Sequence, residues 1–300
     1  MKVILFSFAM IVTSLTLLTF EPALAREPGT PEQPEASEKP LFSLKTDDRE
    51  PLFGDRFTLK AGYKVWVSKW QAQFAATTTA QNQVNTDHPM ALNGPTVTGL
   101  LKLREGSWFN SAFVNFAWLH DGADFAEQRD NSSHVFANRR DYSFTAGLAV
   151  WEGFGVFGGY YNSRQEFTNQ PNQPGLGVSR HPRLIDGPIV GVFGNAQASE
   201  YIGLYGNLAV ALLKFSGFCP SPTSCAQTDS AQGFMNEVGV TIQGPRVWRI
   251  GTELQLGFRA QIIQKNFGIN ATGAGTPNAS NQQPLLDVTY GPVFTIHAVF

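Results

Sequence analysis

The 300-residue chain has a formal net charge of −2, and 15% of its residues are charged, whereas soluble domains average roughly 25%. It contains no basic stripe and no Walker-type phosphate loop. Composition and charge therefore argue against a nucleic-acid partner or a nucleotide cofactor, and no cofactor of any kind is expected.

The amino terminus has the features of a secretory signal. Lys2 provides a positive charge, residues 3–18 form a short apolar core, and Ala23, Leu24 and Ala25 form a small-residue cleavage site. A membrane anchor is the alternative, but the apolar run is short and polar sequence follows it. We predict that residues 1–25 are a cleaved signal peptide.

The rest of the chain divides into an arm and one domain. Residues 26–54 are rich in Pro, Glu and Ser and lack the apolar periodicity of a folded core, so they are predicted to form a flexible arm. Residues 55–300 contain no apolar run long enough for a membrane-spanning helix. They are predicted to form a single all-β domain.

Alternation of apolar and polar residues, typical of strands with two different faces, recurs through this domain. In the third strand Phe109 and Phe113 fall on the inner face, an imperfect fit that a β-bulge would correct. The sixth strand shows no clear phase. The ten predicted strands span about residues 57–75, 96–104, 108–119, 141–151, 154–167, 185–196, 202–212, 237–243, 248–262 and 287–300.

The connections alternate in length. Short turns follow the second, fourth, sixth and eighth strands, the last of them at Gly244 and Pro245. Long polar loops follow the first, third, fifth, seventh and ninth strands, at residues 77–93, 120–138, 168–183, 216–232 and 266–284. Such alternation is typical of an antiparallel up-and-down sheet.

The last strand alternates without interruption and ends at the carboxyl-terminal Phe300. It resembles the closing strand of bacterial outer-membrane β-barrels. Over residues 55–300 this resemblance implies a transmembrane antiparallel up-and-down β-barrel of about ten strands, with eight or twelve as alternatives. It also implies contact with outer-membrane lipid, a periplasmic arm, short periplasmic turns, long external loops, and recognition of Phe300 by the barrel-assembly machinery.

Charged residues are expected to face the lumen, because a lysine facing mid-bilayer lipid costs about 2–4 kcal/mol. Counting from the turns brings Glu253 close to Glu237 and His297. A basic wall on the first two strands would face an acidic wall on the last three, either as a structural core of ion pairs or as an ion-biasing pore. The predicted network is Lys60, Lys64, Lys102, Arg104, Glu237, Glu253, Arg259, Asp287 and His297.

Cys219 and Cys225 lie in one long loop, at a spacing that does not match a zinc C-x-x-C pair. In an oxidising compartment we expect them to form a disulfide, with two free thiols as the alternative. No metal site is expected.

The predicted function is non-enzymatic: a narrow porin-like channel for ions or small solutes, or a scaffold that presents external loops. The alternative is a barrel-rim enzyme, either an omptin-like protease or a lipid-modifying hydrolase. Omptins are similar in barrel size but carry Asp-x-Asp and Asp-x-His pairs, and the barrel lipases and deacylases carry His-x-Ser; none of these occurs here. The nearest substitute is His120 beside Asp121, with Asp124 nearby, and no catalytic residue is assigned.

Overall fold

The structure is a computed structural model that describes Phe53, Arg56 and residues 57–73, 83–85, 90–103, 108–121, 125–130, 133–151, 153–171, 179–216, 229–265 and 286–300. Across these ranges no helix is both long enough and apolar enough to cross a membrane. The strands are β1 (Phe57–Gln73), β2 (Gln83–Asn85), β3 (Met90–Lys102), β4 (Ser111–Asp121), β5 (Phe125–Asp130), β6 (Ser133–Trp151), β7 (Phe154–Pro171), β8 (Ser179–Gln197), β9 (Ile202–Ser216), β10 (Asp229–Gln243), β11 (Gly251–Lys265) and β12 (Leu286–Val299).

Ten of the described strands close into one barrel wall. Neighbours are antiparallel in the order β1, β3, β4, β6, β7, β8, β9, β10, β11, β12, and β12 pairs back to β1 through partners such as Ile296 and Tyr63. The short strands β2 and β5 extend the pairing of β1 and β6 at the end of the long loops. The predicted ten-stranded antiparallel up-and-down barrel is confirmed, and the counts of eight and twelve are wrong.

The outer surface of the wall is an apolar belt. On β9 the outward residues from Ile202 to Leu212 include no charged side chain. Ten steps of about 3.3 Å on a strand tilted by about 40° cover roughly 25 Å along the barrel axis, the height of the apolar band of membrane barrels. Other exposed side chains of the belt are Tyr63, Val97, Val114, Phe116, Phe144, Val190, Val238, Phe258, Phe294 and Ile296.

Outward charges begin where the belt ends, on the side of the long loops. Lys69, Arg164 and Lys214 are exposed there, and Trp118 stacks on Tyr142 with ring centroids 6.0 Å apart. Aromatic residues with one polar edge are enriched at membrane–water interfaces. This border therefore marks one edge of the apolar band.

The strands extend beyond their predicted ends. β2 and the start of β3 lie within the predicted loop 77–93, β5 and the start of β6 lie within 120–138, and β8 and β10 begin inside the next two predicted loops. The loss of apolar alternation marks the edge of the apolar band, but the backbone ladder continues because its hydrogen bonds need no apolar side chains. The predicted loop 266–284 lies outside the described residues.

The hairpin between β10 and β11 turns at residues other than those predicted. At its tip Trp248 and Arg249 have φ values of 55° and 71°, and Val247 forms a bridge with Ile250. Two consecutive positive φ values are typical of a type I′ turn, whose twist matches that of the flanking strands. The predicted Gly-Pro turn is wrong, and the register of the two strands shifts accordingly.

Candidate functional site

The barrel interior has two parts, which we name the plug and the cavity. The cavity, of about 360 Å³, occupies the half nearest the short turns. The plug fills the half nearest the long loops with fully buried side chains, among them Trp66, Trp70, Leu92, Phe167, Ile185 and Ile263.

Arg139 lies at the centre of the plug. Its Nε and Nη2 donate to the Asp141 carboxylate at 3.0 and 2.8 Å, and its Nη1 donates to Thr289 Oγ1 at 2.5 Å. The guanidinium lies 5.4 Å from the ring centre of Trp70 and 5.8 Å from that of Trp66. A buried guanidinium is tolerated when a counter-charge and hydrogen-bond acceptors replace water, and these contacts supply both.

A second ion pair completes the plug. Arg183 Nη2 and Gln165 Nε2 donate to one oxygen of Asp287 at 2.6 and 2.9 Å. Trp70 Nε1 donates to the other oxygen at 3.3 Å, and the Arg183 guanidinium lies 4.2 Å from the ring centre of Phe215. Arg139 and Arg183 therefore each have an aspartate as counter-ion within this buried layer.

The charge network predicted from the sequence does not include most of the charged plug residues. Arg139 has the same parity as the inward-facing Ser143 of the predicted fourth strand, but it stands two residues before the predicted start of that strand. Arg183 lies just before the predicted strand that has no clear phase. Ile185 and Ile189 pack inward there, whereas Val190 and Val192 are exposed, so apolar residues occur on both faces. Asp287 is predicted as a lumen residue, and the structure places it in the plug, away from Glu253.

One wall of the cavity, which we name the charged wall, contains two ion-pair groups. In the first, Lys60 Nζ donates to Glu253 Oε2 at 2.5 Å, and Gln255 Nε2 donates to Glu253 Oε1 at 2.9 Å. His297 Nδ1 lies 3.4 Å from the same Oε1, because His297 stands opposite Glu253 on the neighbouring strand. Glu253 is 5% exposed, so these contacts replace its lost hydration.

The second group gathers around Glu237. Lys64 Nζ donates to its Oε2 at 2.9 Å, and the Tyr205 hydroxyl donates to its Oε1 at 3.3 Å. Arg259 Nη1 lies 3.9 Å from Oε2, and the Arg259 guanidinium lies over Trp66, 4.7 Å from the ring centre. The Glu237 carboxylate thus lies close to two cations, Lys64 and Arg259.

The predicted opposition of a basic and an acidic wall is wrong. The barrel closes between β1 and β12, so Lys60 of β1 reaches across β12 to Glu253 of β11, and Lys64 reaches across β12 and β11 to Glu237 of β10. The predicted closeness of Glu253 to Glu237 is also wrong, because the shifted hairpin places Gln243 opposite Glu253. Of the other predicted network residues, Lys102 is exposed at the end of β3, and Arg104 lies outside the described residues.

The facing wall, which we name the aromatic wall, is built on aromatic–glycine pairs. Phe113 stands opposite Gly147, and Phe193 stands opposite Gly155. A Cβ atom on either glycine would lie 2.5 or 2.4 Å from the facing ring, so the rings lie along the wall and leave the axis open. The pairing of β4 with both neighbours keeps a constant register, and Phe113 faces inward. The predicted β-bulge in this strand is therefore wrong.

His120 and Asp121, at the barrel rim, do not form a catalytic pair. His120 faces outward beside Trp118, with ring centroids 5.7 Å apart, whereas Asp121 is buried inside and accepts a hydrogen bond from the Arg139 backbone N–H at 2.8 Å. Adjacent strand residues face opposite sides, so this carboxylate does not orient the imidazole for acid–base chemistry. Asp124 lies outside the described residues.

Three further predictions concern a metal, a disulfide and the terminal residue. Among the described residues no group of three or more His, Cys, Asp and Glu side chains is placed to hold a metal ion. Cys219 and Cys225 lie outside the described residues, so their disulfide stays a prediction, as do the signal peptide and the arm. Phe300 lies at the barrel seam, where its N–H donates to the Leu59 carbonyl at 2.8 Å and its carbonyl accepts from the Leu59 N–H at 3.2 Å.

No family model and no curated protein match this chain. Similar solved structures include the translocator domain of autotransporter NalP from Neisseria meningitidis, with 12% identity, a TM-score of 0.39, and coverage of 81% of this chain and 88% of that one. The outer membrane protease OmpT from Escherichia coli has 11% identity and a TM-score of 0.39, covering 81% and 95%. Ail, the attachment invasion locus protein of Yersinia pestis, has 11% identity and a TM-score of 0.27, covering 81% and 99%.

The architecture of this chain is defined by its own strands and surfaces. A closed wall leaves no unpaired backbone edge toward lipid, the outer belt is apolar, and charged side chains inside form ion pairs. These are the features of an outer-membrane β-barrel protein.

Proposed function

We propose that the protein is a non-enzymatic barrel of the bacterial outer membrane that does not conduct and that presents its long loops at the cell surface. The observation that carries this proposal is the plug, in which Trp66, Trp70 and Arg139 are 0% exposed. Small barrels are usually filled by side chains. An ion crossing this layer would have to separate charge pairs that are shielded from water.

The connections and the belt support the location and the orientation. Outer-membrane barrels have short periplasmic turns and longer extracellular loops around an apolar band of about 25 Å. Here the start of β1 and the end of β12 lie at the end of the short turns. The arm that precedes β1 would then be periplasmic, and five long connections would face the exterior.

Planar-bilayer recording of the refolded protein tests the plug. We expect no conductance steps from the intact protein in molar KCl. Trp70→Ala/Phe167→Ala removes two plug rings that lie 5.2 Å apart and should produce steps. The matched control, Trp118→Ala/Tyr142→Ala, removes a stacked pair from the outer surface and should remain silent.

Insertion of each protein is verified by heat-modifiable migration and by protease protection in vesicles. Regular conductance steps from the intact protein would contradict the proposal and support a narrow channel. Steps from the outer-surface control alone would show that leakage around the barrel, rather than the plug, determines the current.

A further inference from the structure

The cavity has the size and the lining of a small-molecule site. Its volume of about 360 Å³ lies at the lower end of the range of roughly 300–1,000 Å³ for ligand pockets. The charged wall comes from β1, β10, β11 and β12, and the aromatic wall comes from β4, β7 and β8, across the barrel. A ligand here would contact ionic groups on one side and Phe113, Phe157 and Phe193 on the other.

Arg259 is a cation of the charged wall with unused hydrogen-bonding capacity. A guanidinium has five N–H donors, and within the described part of the chain none of those of Arg259 makes a hydrogen bond. Its contacts are the 3.9 Å approach to Glu237 and the stack on Trp66, and Glu237 already accepts from Lys64. Trp66 holds the guanidinium beside the cavity, and its donors stay available.

The charged wall also carries an excess of positive charge. Three lysine and arginine cations stand against two carboxylates among its described residues, so the cations outnumber the carboxylates by one. The five charged groups are Lys60, Lys64, Arg259, Glu237 and Glu253. A singly charged anion in the cavity would balance them.

A buried hydroxyl provides an independent observation. Thr295 lines the cavity and is 2% exposed, and its Oγ1 has no hydrogen-bond partner in the described part of the chain. Thr295 stands opposite Lys64 on β1, so it belongs to the charged wall. Burial of a polar atom without a partner is costly, and an anion oxygen would remove that cost.

We propose that the cavity binds a small organic anion, with its carboxylate against Arg259 and Thr295 and its aromatic or branched apolar body against Phe113, Phe157 and Phe193. Arginine forms paired hydrogen bonds with a carboxylate. The inference goes beyond the proposed function, because the cavity lies to one side of the plug and binding in detergent does not depend on conductance.

Equilibrium dialysis of the refolded protein in dodecylmaltoside against 2-naphthoate tests the proposal, with the neutral 2-naphthamide as the paired ligand. We expect saturable one-to-one binding of 2-naphthoate and at least about tenfold weaker binding of 2-naphthamide, as charge-assisted hydrogen bonds imply. Arg259→Gln should remove this preference. The barrel should still fold, because Glu237 keeps Lys64 as its counter-ion.

Three variants complete the test. Arg164→Gln, which changes an exposed arginine on the outer surface, should bind 2-naphthoate like the intact protein. Phe193→Ala should weaken both ligands, and Thr295→Val provides a second test of the anion contact if Arg259→Gln fails to fold. No saturable binding, equal binding of acid and amide, or full binding by folded Arg259→Gln would each overturn the proposal.

Discussion

At the scale of single residues, several buried groups serve more than one partner. Glu253 accepts from Lys60 and Gln255 and faces His297, and Arg139 contacts Asp141 and Thr289. Removing one member of such a group leaves the others without a counter-charge or an acceptor. That loss costs more than the net contribution of one hydrogen bond.

Glu253→Gln should lower the free energy of unfolding. The change leaves the Lys60 ammonium and His297 without a carboxylate. We expect a loss of about 1–3 kcal/mol, less than the roughly 3–5 kcal/mol for a fully buried pair, because the Lys60 side chain is 21% exposed. Urea unfolding in lipid vesicles measures it beside Lys102→Met, an exposed control; equal stability of the two variants would refute the role of this ion pair.

Arg139→Lys should destabilise the plug although it keeps the charge. A lysine ammonium cannot donate along both edges of the Asp141 carboxylate and also reach Thr289 as the planar guanidinium does. We expect a loss of at least about 2 kcal/mol in the free energy of unfolding. Arg140→Lys, at the adjacent exposed outward position, is the matched control and should change little; a similar small effect of both would contradict the assigned role.

At the scale of the element, glycines on inward faces allow aromatic rings to lie flat across neighbouring strands. Tyr205 stands opposite Gly239, and Phe157 stands opposite Gly191. Covering a glycine with a cross-strand ring offsets the packing that the strand lacks there. The same arrangement keeps these rings away from the barrel axis, which leaves room for the cavity.

Gly147→Ala should destabilise the barrel, whereas Gly158→Ala should not. The added Cβ would lie 2.5 Å from both the Phe113 ring and the Val156 carbonyl oxygen, but at Gly158 its nearest neighbour would be 3.7 Å away. Overpacking of this kind costs about 1–3 kcal/mol. Thermal unfolding followed by heat-modifiable migration compares the variants, and equal midpoints would show that Phe113 moves aside freely.

Deletion of Phe300 should reduce assembly into the outer membrane. The residue makes two backbone hydrogen bonds to Leu59 across the seam, and the resemblance of the closing strand implies that assembly factors recognise its terminal aromatic residue. We expect a lower yield of heat-modifiable barrel in a protease-deficient host. Phe300→Tyr keeps an aromatic residue and should give the yield of the intact protein. If the chain without Phe300 also gave that yield, the recognition role would be excluded.

At the scale of the whole molecule, closure between the first and last strands determines which residues share the interior. The barrel has its short turns at one end and its long loops at the other, and an outward apolar belt lies between them. This asymmetry predicts one orientation in the membrane, with the loops outside.

An epitope tag inserted after Gly275 should bind antibody on intact cells. That position lies in the long connection between β11 and β12, whereas a tag after Ser199 lies in the short turn before β9 and should bind only after the cells are opened. Flow cytometry before and after permeabilisation measures both. Antibody binding to the Ser199 tag on intact cells, with barrels correctly assembled, would show that the orientation is the opposite of the one proposed.

The sequence by itself determined the class of fold and the phase of most strands. A lipid-facing side chain must be apolar, so residues such as Val210 and Leu212 on β9 and Phe294 and Ile296 on β12 record the outer face at every second position. The lysines of β1 and the acids of β10 and β11 follow from the same rule, since each is costly on the outside. This information is local, and it can be read within one strand at a time.

Only the tertiary structure decided which of those residues meet. Lys60 and Glu253 are 193 positions apart, and their contact depends on barrel closure and on the type I′ turn at Trp248 and Arg249, which no apolar pattern marks. Arg139 lies beyond the apolar band, where outward side chains need not be apolar and the sequence pattern does not show which face a residue occupies. Its place in the plug was therefore not evident from the sequence. Every outward side chain faces the same apolar lipid environment, whereas each inner contact depends on the register of strands distant in sequence.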